Sequence, residues 1–153
     1  MKTQLNIFTK AAISVIFVGL FQAITISATL AATIASSASG DWSNTSTWVG
    51  GVVPGAGDDV IIAEGHNIQL ATSRTVSSLT IAVTTMNTTF DLNTNGELNI
   101  SNNLSLISNE EFVEIRMNIN DRLVINGDLY FSSVATTDTR INMYSGANVT
   151  YME

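Results

Sequence analysis

The sequence contains no cysteine, which excludes disulfide staples and thiolate chemistry together. Small exported domains often need such staples, so this chain must hold itself by packing and backbone hydrogen bonds. Lysine is nearly absent as well, confined to Lys2 and Lys10. Beyond residue 31 the cations are Arg74, Arg116, Arg122 and Arg140, set against all 13 acidic residues, a formal charge of −9. An acidic surface without lysine argues against nucleic acid and anionic lipid as partners, because basic patches hold both. Proline occurs once, at Pro54, and histidine once, at His66. With no partner evident in the sequence, His66 reads as an exposed turn residue after Gly65 and not as a general base.

What is present begins with a leader. Residues 1–10 are polar and carry both lysines, and Ala11 to Ile26 is almost wholly apolar. That is the order of a secretory signal, with small residues before a cleavage point after Ala31, or alternatively after Ala35. An uncleaved anchor is the competing reading, since the uncharged run from Ala11 to Ala35 could span a bilayer. The expected organisation is a signal-peptide helix over 1–31, an N-terminal cap over 32–59 and coils over 60–153. Export by a Sec signal places the mature chain outside the cell or on its surface.

After Gly40 the chain is a series of short Ile, Val, Leu and Thr runs broken by Asn, Gly, Asp and Ser, a strand-and-turn pattern. The runs keep register. Phe90 and Leu92 match Ile115 and Met117 at a spacing of 25, then Ile141 and Met143 at a further 26. Leu98 and Ile100 match Leu123 and Ile125, then Val149 and Tyr151; Leu104 and Leu106 match Leu129 and Phe131. A fixed period of this size predicts an all-β fold, a parallel β-solenoid (β-helix) of about four turns, each turn burying its apolar residues on the next. The runs at Val60–Ile62, Ile68–Leu70 and Val76–Ile81 fit a shorter first turn. Asn93 falls over Asn118 and Asn95 over Asn120, which predicts two asparagine ladders, and Asp91 falls beside Arg116. A β-sandwich is the alternative, though it does not require a constant spacing.

Residues 40–62 hold both tryptophans, the proline and five of the ten glycines. Gly50-Gly51 permits a tight turn at positive φ, Pro54 fixes the next, and Gly55-Ala56-Gly57-Asp58-Asp59 leads into the strand at Val60. The expected product is a cap built from Trp42, Trp48, Gly50, Gly51, Pro54, Gly57, Asp58 and Asp59, whose rings cover the open end of the first coil. With Gly65, Ile68 and Leu70 following, residues 40–81 resemble the eight-glycine extracellular domain. The resemblance implies the N-terminal end of a right-handed parallel β-helix on the surface of Bacteroidetes-type bacteria, of the kind carried by type IX secretion. The family's glycines beyond Gly65 have no clear counterpart. The last strand, Val149 to Tyr151, stops in mid-turn, and a fragment of a longer protein is the expectation.

No catalytic constellation stands out, so a structural or adhesive role is expected, with glycans or surface proteins as partners. A carbohydrate-binding or polysaccharide-degrading role is the alternative. Trp42 and Trp48 are the candidate sugar-stacking rings, weighed against packing in the cap. No cofactor is expected, with a calcium ion on Asp91, Asn93 and Asn95 as the alternative: their alternate spacing opens like a calcium loop, although position twelve is Asn102 and not glutamate. Asp58, Asp59 and Glu64 form a weaker metal candidate, and Glu110, Glu111 and Glu114 read as a solvated loop between coils.

Overall fold

A computed structural model describes residues 30–109, 111–133, 139–144 and 146–152. The signal segment, apart from its last two residues, lies outside them. Among the described residues no helix is long and apolar enough to cross a membrane.

The chain winds as a parallel β-solenoid. A partial turn, β1 (Thr33–Ala35) and β2 (Gly40–Asp41), precedes a first coil of β3 (Asp59–Ile62), β4 (Asn67–Leu70) and β5 (Ser73–Val76). The second coil is β6 (Ser78–Val83), β7 (Thr88–Leu92) and β8 (Glu97–Ile100), and the third β9 (Leu104–Ser108), β10 (Val113–Met117) and β11 (Arg122–Ile125). The fourth is β12 (Leu129–Ser133), β13 (Thr139–Met143) and β14 (Asn148–Tyr151). Strands of successive coils pair in three parallel sheets, ordered β1-β3-β6-β9-β12, β2-β4-β7-β10-β13 and β5-β8-β11-β14.

Alternation drives this arrangement. In each strand every second residue turns inward, and the inward residues stack across coils: Val60, Leu79 and Leu104 in one sheet, Ile68, Phe90 and Ile115 in the next, all buried. Each stacked aliphatic side chain so enclosed contributes roughly 1.5–3 kcal/mol of transfer free energy. The spacing of 25 holds between the second and third coils in all three sheets, as in Leu79 with Leu104, Phe90 with Ile115 and Leu98 with Leu123. It contracts toward the N-terminus, where Ile100 pairs with Val76, Phe90 with Ile68 and Leu79 with Val60. The first coil is therefore tighter at its corners, which is why its runs read as a shorter turn in the sequence. It also splits the run Val76–Ile81: Val76 ends β5 of the first coil, and Ile81 lies in β6 of the second.

The cap differs from expectation in one respect. It is not only a wrapped loop, because β1 pairs with β3 and β2 with β4, both parallel, so it starts as an incomplete coil. Between β2 and β3 the chain then closes over the end, with Gly50 and Gly51 at φ of 77° and 69°.

Corners repeat as well as strands. Asn95 and Asn120 both adopt left-handed backbone, φ 68° and 64°, and Gly146 continues the stack at φ 90°. Asparagine tolerates this region better than most side chains, and Asn120 Nδ2 donates to Asn95 Oδ1 at 3.4 Å. The second ladder forms differently. Asn118 Nδ2 reaches Asp91 Oδ1 and the Leu92 carbonyl, both at 3.1 Å, in place of the Asn93 side chain.

The two ends of the solenoid are unlike. At the N-terminal end Trp42 and Trp48 seal the core. At the other, β12, β13 and β14 each have one unpaired edge among the described residues, and Phe131, Met143 and Tyr151 remain 44%, 46% and 47% exposed.

Candidate functional site

The outer face of the sheet formed by β4, β7, β10 and β13 collects most of the polar chemistry. Because Phe90, Leu92, Ile115 and Met117 turn inward, their neighbours turn out and form ranks along the coil axis. Gln69, Asp91, Arg116 and Asn142 stand in one register, and Asn67, Thr89, Glu114 and Arg140 in the next.

Glu114 is not a loop residue. It sits within β10 with its side chain only 2% exposed, corrected from the solvated-loop reading because the strand begins at Val113. Its carboxylate accepts from Arg116 Nε at 2.5 Å, Asn142 Nδ2 at 3.1 Å and Arg140 Nε at 3.2 Å. Burial pushes its pKa up, and the Arg116, Asn142 and Arg140 donors outweigh that and hold it below the ordinary value. Arg140 also covers the Phe112 ring, 4.6 Å from its centroid. The signal for this cluster was in the period: Glu114 precedes Ile115 by one residue as Arg140 precedes Ile141. Asp91 and Arg116 are strand neighbours as expected, but the ion pair of Arg116 goes to Glu114.

Beside this cluster lies an open groove of about 670 Å³, lined by Asp91, Asn93, Thr94, Asn118, Ile119 and Tyr144. Three of these share one rank. Asn93 and Tyr144 directly follow Leu92 and Met143, and Asn118 follows Met117 between them. The Tyr144 N–H donates to the Met117 carbonyl at 2.9 Å, which anchors its backbone at the rim. Asp91 has its pKa raised, by burial first, while Arg116 and the Asn118 amide pull the other way.

The calcium set is not assembled. Asp91 and Asn93 line the groove, but Asn95 belongs to the corner stack with Asn120. Among the described residues no three acidic or histidine side chains gather as a metal cluster. Asp58, Asp59 and Glu64 are likewise separated. Asp58 accepts from Ala32 N at 3.0 Å and Gly55 N at 2.9 Å within the cap, and Asp59 accepts from Ser78 Oγ at 2.6 Å.

Glu64 closes a different loop. Its carboxylate accepts from the backbone and hydroxyl of Thr84 and of Thr85. These bonds, the Thr84 backbone first, lower its pKa from the ordinary 4.5 to about 2. A depressed carboxylate contributes stability that is fully present above the unfolded pKa and fades as pH falls through the folded one. The Glu64 contribution should thus be whole above about pH 4.5 and lost toward pH 2. Carbon-detected NMR titration of the Glu64 carboxyl should give a midpoint near 2, and a midpoint above 4 would contradict these bonds.

The tryptophans are enclosed. Trp42 is 0% exposed and Trp48 2%, their rings edge to face with centroids 4.8 Å apart. Trp48 Nε1 donates to the Trp42 carbonyl at 2.7 Å and Trp42 Nε1 to the Pro54 carbonyl at 3.3 Å. Neither ring offers a face to a sugar, which corrects the stacking-platform reading: both indoles are spent on the core. His66 also departs from expectation, for it is half-buried and its Nδ1 lies 2.8 Å from Ser36 Oγ, which in turn accepts from Ala63 N. The serine is 4% exposed, and the pair ties the end of β1 to the turn between β3 and β4.

Comparison with protein-family models, with curated proteins and with solved structures gave no match.

Proposed function

We propose that this chain is a non-catalytic extracellular module, structural or adhesive, forming the capped N-terminal part of a bacterial cell-surface β-helix of the eight-glycine type. The observation that carries the reading is the sealed N-terminal end: Trp42 and Trp48, 0% and 2% exposed, close the core over a stack of parallel coils. Solenoids need such caps to stay soluble. The acidic, lysine-free outer surface suits display in solvent.

Export by a cleaved signal fits the cap. Cleavage after Ala31 keeps β1 whole, with its three register pairs to β3, and keeps the bonds of Ala32 to Asp58 and Asp59. It also turns the Ala32 nitrogen into an ammonium within reach of the Asp58 carboxylate, 3.0 Å away. Cleavage after Ala35 would remove β1 and Ile34 from the core. N-terminal sequencing of protein recovered from the cell surface should read Ala32-Thr33-Ile34. Protein retained inside the cell with Met1 intact would overturn the reading.

A further inference from the structure

We propose that the groove between Asp91 and Tyr144 is a binding site for neutral oligosaccharide, an assignment that rests on the adhesive reading and names its ligand class. Four observations converge there. The first is an apolar wall: Tyr144 is 52% exposed and Ile119 59%, both facing a groove of about 670 Å³. Large exposed apolar groups beside a polar floor are where a ligand with one apolar and one hydroxylated face fits.

The second is unspent hydrogen-bonding capacity. Asp91 accepts from Asn118 at Oδ1, and its second oxygen has no partner among the described residues. The side chains of Asn93 and Thr94 likewise make no hydrogen bond to described residues, though the Asn93 backbone is anchored to the Leu70 carbonyl at 2.8 Å. A carboxylate, a carboxamide and a hydroxyl thus line one groove, Asn93 on anchored backbone. Sugar hydroxyls, which donate and accept at once, satisfy such a mixed set; a purely accepting or purely donating ligand does not.

The third is charge. Glu114 with Arg116 and Arg140 carries one positive charge in excess, which the Asp91 carboxylate in register with Arg116 offsets, so these four groups sum to zero and suit an uncharged ligand. A bare cation is served poorly, since calcium takes six to eight oxygens and the groove offers a single carboxylate. The fourth is extent. The rank of Gln69, Asp91, Arg116 and Asn142, which meets the groove at Asp91, runs along the axis for three coil steps and offers polar surface to a ligand longer than one ring.

The test is a titration of the isotope-labelled full chain with cellohexaose, xylohexaose, mannohexaose and maltohexaose, each to about 10 mM, the range of weak binding. At least one should give saturating amide shifts clustered at Asn93, Thr94, Asn118 and Tyr144. Tyr144→Ala should weaken it by about tenfold or more, the loss of roughly 1.4 kcal/mol. Tyr144→Phe keeps the ring and should bind within about threefold of the parent, and its spectrum checks that the fourth coil is folded. No saturating shift with any of the four sugars would overturn the assignment, as would binding indifferent to Tyr144→Ala. Shifts at Asp91 and Asn93 with calcium chloride alone, and none with sugar, would give the groove to a cation and also overturn it. Cleavage of a bound sugar during the titration would leave the groove standing and instead contradict the non-catalytic reading.

Discussion

Trp42→Ala should cost about 3–5 kcal/mol, the upper range for truncating a buried side chain. The ring is wholly buried between Trp48 and Phe90, with centroids 4.8 and 5.8 Å away. Removing it opens a cavity over the first stacked aromatic and strands the Pro54 carbonyl that its Nε1 serves. Domains of this size have only about 5–15 kcal/mol in total, and this one has no disulfide to limit the unfolded chain. Urea denaturation followed by far-UV circular dichroism should show the midpoint fall with little change in slope. Trp48→Phe keeps much of the packing but loses the bond to the Trp42 carbonyl, and should cost only about 1–2 kcal/mol. A Trp42→Ala protein within 1 kcal/mol of the parent would mean that the indole pair does not seal the core.

Gly127→Ala should destabilise by roughly 1–3 kcal/mol or more through overpacking. A Cβ placed on Gly127 would lie 2.4 Å from the Asn102 carbonyl oxygen and 2.7 Å from its carbon, atoms of the coil below. Backbone cannot swing aside as a flexible side chain would, so the corner must move and the β12 pairing with β9 with it. Gly96 is under the same constraint from the Leu70 carbonyl oxygen, at 2.3 Å. Gly55→Ala is the internal control. Nothing lies within 4 Å of that site and its φ is not positive, so the change should be neutral or stabilise by up to about 1 kcal/mol. Thermal unfolding of the two variants side by side separates coil stacking from a general glycine effect; equal midpoints would contradict the close approach.

The period carried most of the fold. Because each coil buries the same inward positions, Phe90, Ile115 and Ile141 could be aligned from hydrophobicity alone, and the register follows that alignment. The first coil resisted because its corners are shorter, so Val60 pairs with Leu79 at a spacing that no later coil repeats. Glu114 was misplaced because its neighbours Glu110 and Glu111 suggested a loop; its burial depends on Arg140 a full coil later, a contact visible only once the period is applied to polar residues as well. Asp121 shows the same effect. Its carboxylate is buried and accepts from Gly96 N and Asn118 N, bridging two coils at a corner. The groove was half legible: Asp91 and Asn93 stood out as candidates, but for a metal, and Tyr144 entered only when the rank of Asn93, Asn118 and Tyr144 closed in three dimensions.

The central claim is that each coil lies directly on the one before it, and the absence of native cysteine makes a direct test possible. Glu97, Arg122 and Asn148 occupy one register across three successive coils, with the Arg122 Nη1 to Glu97 Oε1 ion pair at 2.9 Å. Adjacent coils set paired residues about 4.8 Å apart, within the range of roughly 4.4–6.8 Å over which a disulfide closes. Under mild oxidation, the double variant Glu97→Cys with Arg122→Cys should form an intramolecular disulfide nearly completely, and so should Arg122→Cys with Asn148→Cys. Glu97→Cys with Asn148→Cys, two coils apart, should stay reduced. A disulfide between positions 97 and 148, or none between 97 and 122, would contradict the stacked-coil fold.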